Sequence, residues 1–320
     1  MLVWGPRKKT EVVNQTSVTE FIIMGFPSLE RLYSLFFFVF LFIYLFTVSG
    51  NTLIFLTVRA NHHLHTPMFY FLIHLSLMEI WYTSVIIPKM LANFVTKTGH
   101  ISFLNCMMQL YLFSSLSASE CYLLTLMGYD RYLAICKPLH YNRLMMPGNC
   151  LQLAATSWVC GFLSPILPVS LISQLSFCGP NMVNYFYCDA QPLLKLSCTN
   201  THITAAAISL LASTLILSSF LLTMVSYAFI ISTILRIPSG LGRQKAFSTC
   251  SSHLVVVMIY YGTIVCLYIQ PTASVSMDLN KVFSLLYTVV TPMLNPIIYS
   301  LRNREMKESL KKLLRRKLTF

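Results

Sequence analysis

The chain has 320 residues, with 23 Lys and Arg against 10 Asp and Glu, a formal net charge of +13. Only 10% of residues are charged and 56% are apolar, where an average soluble chain carries roughly 25% charged residues. That is too little charge to coat a soluble surface, too much apolar content for disorder, and with 11 Gly too little glycine for a collagen-like repeat. An all-α integral membrane protein remains.

A crossing helix needs roughly 20 mostly apolar residues. Seven stretches qualify: Leu32–Val58, Met68–Leu91, Phe103–Met127, Leu151–Ile172, Ala205–Leu235, Phe247–Ile269 and Val282–Leu301. They predict a seven-helix bundle over 32–301, an N-terminal segment over 1–31 and a tail over 302–320. The continuous runs lack the alternating ten-residue pattern of a β-barrel. Lys and Arg concentrate on the cytoplasmic side of membrane proteins. With the N-terminus outside, 15 of the 23 basic residues fall on the inner segments and tail, from Arg59 through Arg131 and Arg243 to Lys317. Arg7, Lys8 and Lys9 run locally the other way. The +13 therefore reads as membrane topology, not as a nucleic-acid surface.

The first 30 residues show no apolar core before a cleavage site, so no cleaved signal peptide is expected. Asn14-Gln15-Thr16 is the one N-x-Ser/Thr sequon, and its predicted outer location makes Asn14 a candidate glycosylation site.

Two acids sit inside apolar runs, Glu79 in the second span and Glu120 in the third. Ionisable groups at membrane depth are costly and tend to be functional. Each acid alone reads as a protonated, hydrogen-bonded group; together they read as a shared site for a sodium ion or a proton, with Asn51, Ser76 and Asn295 able to complete it. No resident cofactor is otherwise expected. Asp130-Arg131-Tyr132 ends the third span. An Arg there can pair with Asp130 in one state and with a partner in another.

Of the 10 Cys, Cys106, Cys178, Cys188 and Cys198 lie on the predicted outside, where three pairings are open. The rest read as small packing residues. The outer loop from Ser173 to Thr204 carries three of the four, and loops of that length are usually functional. In the last span, Asn295-Pro296-Ile297-Ile298-Tyr299 puts a proline inside a helix. Proline removes a backbone bond there and kinks the helix. In the tail, Leu301, Met306, Leu310, Leu313, Leu314 and Leu318 recur among Lys and Arg, the pattern of a basic amphipathic helix on a membrane surface.

These features resemble the rhodopsin-like G-protein-coupled receptors, and finer motifs resemble the olfactory receptors among them. The motifs are Leu64-His65-Thr66-Pro67-Met68, Met127-Gly128-Tyr129-Asp130-Arg131-Tyr132, Ser226-Tyr227, Lys245-Ala246-Phe247-Ser248-Thr249-Cys250-Ser251-Ser252-His253 and Pro292-Met293-Leu294-Asn295-Pro296-Ile297-Ile298-Tyr299. Glu79 stands where that family usually has Asp, and Gly128 where it usually has Ala. The resemblance implies disulfides Cys106–Cys188 and Cys178–Cys198. It implies Asp130, Arg131, Tyr132, Tyr227, Asn295, Pro296 and Tyr299 as the activation switch, and Tyr261 as a switch aromatic in span six. It also implies a small-molecule odorant as ligand, a stimulatory G protein of the olfactory type as partner, rising cyclic AMP, and a plasma-membrane location. The inner end of span six reads Arg243-Gln244-Lys245, so no acid there can lock Arg131.

Helical spacing nominates Phe113, Ser114, Ser117 and Ala118 on span three and Ile208, Leu211 and Ala212 on span five. It adds Tyr261, Ile264, Val265 and Tyr268 on span six and Leu285 and Thr288 on span seven. These would line an outer, mostly apolar pocket. No acid lies above Glu120 in span three, which disfavours cationic amines. A neutral ligand of about ten to fifteen heavy atoms would gain roughly −5 to −7 kcal/mol, a dissociation constant of roughly 10 to 200 μM. A transporter would show an inverted repeat, and a metalloprotease an H-E-x-x-H; the sequence has neither.

Overall fold

The structure is a computed structural model that describes residues 18–178, 180–268 and 277–318; within these, the side chains of 245, 246, 248, 249, 265–268, 277, 278, 300–302, 304 and 314–318 are not described. Asn14 lies outside the described residues, as do the side chains of Val265 and Tyr268.

The helices are α1 (Tyr33–Ala60), α2 (Pro67–Thr96), α3 (Phe103–Cys136), α4 (Pro138–Leu144), α5 (Pro147–Leu163), α6 (Ile166–Ser173), α7 (Ala190–Leu196), α8 (His202–Leu235), α9 (Gly240–Tyr268), α10 (Met277–Leu285), α11 (Thr291–Arg302) and α12 (Arg304–Leu318). The chain makes its turns with residues suited to them. Pro67, Pro138 and Pro147 open helices where their missing N–H is not needed. Ser102 caps α3 by accepting from Asn105 N at 3.2 Å.

Seven crossings form the bundle. Among the described residues six are long and apolar enough to span a membrane unaided, while the sixth crossing, α9, carries a shorter apolar stretch, Cys250–Ile264. The expected fourth span is not one helix: it breaks into α5 and α6 at Ser164–Pro165, since the proline cannot donate the next helical bond. The last span is also composite, with a π-helical turn, Leu286–Val290, between α10 and α11. α3 is the central column, packed by α2, α5, α8 and α9, and α1 packs on α2 and α11.

Two glycines permit close approaches. A methyl on Gly161 would lie 1.9 Å from Ser119 Oγ and 2.8 Å from its Cα, so α5 presses against α3. A methyl on Gly50 would lie 3.0 Å from Cβ of Pro296, so the kinked last span rests in a notch on α1. Small residues at such crossings let helix backbones pack without a hydrophobic driving force.

One end of the bundle carries a sheet that hydropathy did not predict. β1 (Glu20–Ile23) pairs antiparallel with β2 (His100–Ser102) and parallel with β3 (Met182–Val183). The strands are two to four residues long, too short to give a period-2 signal. Both expected disulfides are present: Cys106–Cys188 ties the long loop to the start of α3, and Cys178–Cys198 closes the loop on itself. At the opposite, basic end, α12 docks on the bundle. Met306 and Ser309 are buried, Lys311 and Lys312 are exposed, and His63 Nε2 sits 2.9 Å from Ser309 Oγ.

Candidate functional site

Three polar assemblies run down the bundle. The upper one lies beneath the long loop. Phe113 on α3 packs against Tyr187 at 4.8 Å and Tyr82 at 5.1 Å between ring centres. Tyr287 joins from the π turn, 5.8 Å from Tyr82 and 5.5 Å from Tyr260. Polar atoms thread this aromatic cluster. Ser117 Oγ and the Tyr287 hydroxyl share a short hydrogen bond. The Tyr260 hydroxyl donates to Ser117 O at 3.1 Å and contacts Cys121 Sγ at 3.1 Å. Overhead, Tyr185, Phe186 and Tyr187 are buried, and Cys188 N donates to Gln109 Oε1 at 3.0 Å. The disulfide and this bond hold the aromatic triplet over the cluster.

The expected pocket residues divide accordingly. Phe113, Ala118, Tyr261, Ile264 and Thr288 are buried, and Ser114, Ser117, Ile208, Ala212 and Leu285 are half-buried. Ser117 and Phe113 sit in the cluster. Thr288 donates its hydroxyl to Ser284 O at 2.8 Å within its own helix. Tyr261 turns toward α8, its ring 5.3 Å from Phe220. Leu211 is 42% exposed, more than the half-buried Ile208 and Ala212 on the same helix.

Sequence reading missed Tyr82, Tyr187, Tyr260 and Tyr287. For Tyr287 the reason is the residue from which the period is drawn: Ser284, Tyr287 and Thr288 are buried at the i, i+3, i+4 spacing of one helical face, whereas a period drawn from Leu285 selects Thr288 and passes over Tyr287. For Tyr260 the adjacent Tyr261 was chosen instead; both are buried, facing α3 and α8 respectively.

The middle assembly surrounds the deep acids. Asn295 Nδ2 donates to Glu79 Oε1 in a short hydrogen bond, and Asn51 lies beside the same carboxyl. Glu120 is buried within electrostatic reach. Among the described residues, Glu79 Oε2 and Ser76 Oγ are buried with no hydrogen-bond partner. Unpaired buried polar atoms cost about 1–3 kcal/mol each, and both are oxygens able to accept a proton or face a small cation. Among the described residues no group of three or more His, Cys, Asp or Glu is arranged to hold a metal ion.

The lower assembly is at the basic end. Arg131 Nε pairs with Asp130 Oδ2 at 3.8 Å, and both residues are buried. The Tyr141 hydroxyl, from α4, donates to Asp130 Oδ1 at 2.9 Å. Burial and the neighbouring Asp130 push the Tyr141 hydroxyl's pKa up, so it stays a donor. The Tyr227 hydroxyl lies 2.7 Å from His253 Nδ1 on α9 rather than on Arg131. Tyr132 packs against Phe229 at 5.8 Å. Tyr299 is buried, and among the described residues neither its hydroxyl nor Arg131 Nη2 has a hydrogen-bond partner. Of the expected switch residues, Asp130, Arg131, Tyr227 and Tyr299 lie together here, without the Arg131–Tyr227 pairing that the motif implies for an active state, while Asn295 belongs to the middle assembly.

Sequence comparison supplies the family. The family description "Olfactory receptor" matches residues 40–317. The chain belongs to the olfactory receptor family. It is 50% identical to human olfactory receptor 6N1 over 303 residues, covering 95% of this chain and 97% of that one. It is 50% identical to human olfactory receptor 6Q1 over 299 residues, or 93% and 94% of the two chains. Mouse olfactory receptor 6B9 is 48% identical over 299 residues, or 93% and 95%. As an olfactory receptor the protein is a multi-pass membrane receptor for odorants, coupled to a G protein, and not an enzyme.

Proposed function

We propose that this olfactory receptor binds small, neutral, mostly apolar odorants among Phe113, Ser117, Tyr260 and Tyr287, and that binding activates a stimulatory G protein to raise cyclic AMP. The carrying observation is the hydroxyl-threaded aromatic cluster roofed by the disulfide-tied loop. Rings supply apolar contact, and Ser117 or Tyr287 supplies a hydrogen bond to a hydroxyl, carbonyl or ether. That mixture suits a compact neutral ligand. Ser114, Ala118, Ile208, Ala212, Ile264 and Leu285 shape its flanks.

In this reading the sheet-bearing end faces outward and the basic end lies in the cytosol at the plasma membrane. The tail helix rests on anionic lipids of the inner leaflet, as basic amphipathic helices do. Asn14 then lies where glycosylation takes place. The Glu79–Glu120 region carries a sodium ion or a proton that differs between states.

Ligand acts by population shift: it must bind the active arrangement better than the resting one. Because Tyr287 and Pro296 lie on one composite helix, rearrangement at the cluster reaches the kink. The inner end of α9 then moves outward, Tyr227 leaves His253, and Arg131 is released toward Tyr227 and the G protein.

The test is an odorant panel read with a cyclic AMP reporter in cells bearing the receptor at the surface. Ser117→Ala shifts agonist potency severalfold, and Arg131→Ala abolishes the response at unchanged surface level. A full response from well-expressed Arg131→Ala refutes the switch. Potencies untouched by Ser117→Ala across all agonists refute the placing of the ligand.

A further inference from the structure

Lys281 stands in the second turn of α10 and is 1% exposed. Its Nζ donates to Gly25 O at 2.8 Å and to Asn184 Oδ1 at 2.7 Å, and lies 5.6 Å from the centre of the Phe26 ring. Three separated segments therefore meet on one ammonium: the arm after β1, the loop after β3, and the last span. The arm is itself laced to its neighbours. Ile22 N donates to Asn181 O, Ile23 N to Gly99 O, Met24 N to Val183 O and Gly25 N to Tyr185 O, at 2.7–2.9 Å. Arm and loop thus form one mat. Neither disulfide includes the arm.

The mat lies directly above the aromatic cluster. Along α10 and the π turn, Lys281 holds Asn184, Ser284 bonds Tyr185, and Tyr287 bonds Ser117. Positions three apart on a helix share a face, so these contacts run in one line from the roof to the aromatic cluster.

We propose that Lys281 is a latch, a positioning residue that keeps the mat shut and sets how fast molecules reach and leave the chamber. The inference rests on the ligand placement above and adds its regulation. An ammonium makes stronger hydrogen bonds than a neutral donor. Lifting the mat breaks both bonds together and leaves Gly25 O and Asn184 Oδ1 to find other donors. Ligand exchange is then limited by opening of the latch.

The experiment uses purified full-length receptor in lipid nanodiscs, with two readouts. One is amide hydrogen exchange of the segment spanning 20–25. The other is the labelling rate of Ser117→Cys by a trimethylammonium methanethiosulfonate, followed by peptide mass spectrometry. Lys281→Met raises both rates about tenfold or more, the factor expected for losing a charge-assisted hydrogen bond. Lys281→Arg restores them in large part. Asn184→Asp, which sets a charge opposite the ammonium, slows both below the parent. A merely structural lysine would not give opposite signs for Lys281→Met and Asn184→Asp. Labelling of the Ser117→Cys thiol that is indifferent to both changes overturns the latch, as does a change of the same sign in both. If Lys281→Met does not fold, Asn184→Leu against Asn184→Asp makes the same comparison. The Ser117→Ala potency shift is measured apart: if it stands while labelling is indifferent, only the latch falls. If labelling responds while all potencies are unmoved, the latch stands and the ligand placement falls.

Discussion

Tyr141→Phe isolates what holds Arg131 at rest. The substitution removes one atom, the hydroxyl that donates to Asp130 Oδ1 at 2.9 Å, and keeps the ring. Hydrogen bonds to charged groups contribute about 1.5–3 kcal/mol. Tyr141 is half-buried, so the lower end applies, about 1.5 kcal/mol or about twelvefold in an equilibrium constant. The bond belongs to the arrangement in which Tyr227 is engaged with His253 and Arg131 with Asp130. Losing it favours the released arrangement. A receptor active about 1% of the time without ligand would become active about 10% of the time, within the usual range of minor-state populations. The assay is basal cyclic AMP normalised to surface receptor, with Tyr44→Phe as a control that loses an exposed hydroxyl bond to Ser84. Tyr141→Phe raises the basal signal severalfold and Tyr44→Phe leaves it unchanged. Equal or lower basal signal from Tyr141→Phe at matched surface level refutes the assignment of this bond to the resting state.

Other consequences can be measured directly. Gly161→Ala should remove most surface receptor, because its methyl cannot fit 1.9 Å from Ser119 Oγ, while Gly262→Ala, with nothing within 4 Å among the described residues, should be silent in flow cytometry. Tyr287→Phe should weaken agonist potency in the same direction as Ser117→Ala, and the double variant should add little, since the two hydroxyls share one bond; additive losses would separate them. Asp189 caps α7 through Ala190 N at 2.8 Å, and burial pushes its carboxyl up to about 6. Between roughly pH 4 and 6 the folded loop then binds more protons than the unfolded chain, so its stability falls as pH rises through that window. Asp189→Asn should flatten that slope in hydrogen exchange of α7, and an unchanged slope would assign it elsewhere.

The crossings were legible because lipid demands long apolar runs, and the motif residues because they are short and specific. The bundle, both disulfides and the convergence of Asp130, Arg131 and Tyr227 followed from those two signals. Hydropathy cannot see what breaks regularity. It treats Ser164–Pro165 as interior to a run, although the proline ends α5. It assigns one regular helix to the last span, so the π turn at Leu286–Val290 is invisible. The arm and its partner strands are held by backbone bonds between segments far apart in sequence. Nothing local announces that pairing, and Lys281, one residue before the apolar run Val282–Leu301, finds its acceptors on segments far away in the sequence.

The notch at Gly50 gives the first helix a mechanical role. Because the ring of Pro296 seats against it, any rocking of the lower half of the last span would have this contact as its fulcrum. Enlarging Gly50 would wedge the fulcrum and change the angle through which the span can rock. A helix outside the aromatic cluster would thus help set how far the last span can tilt.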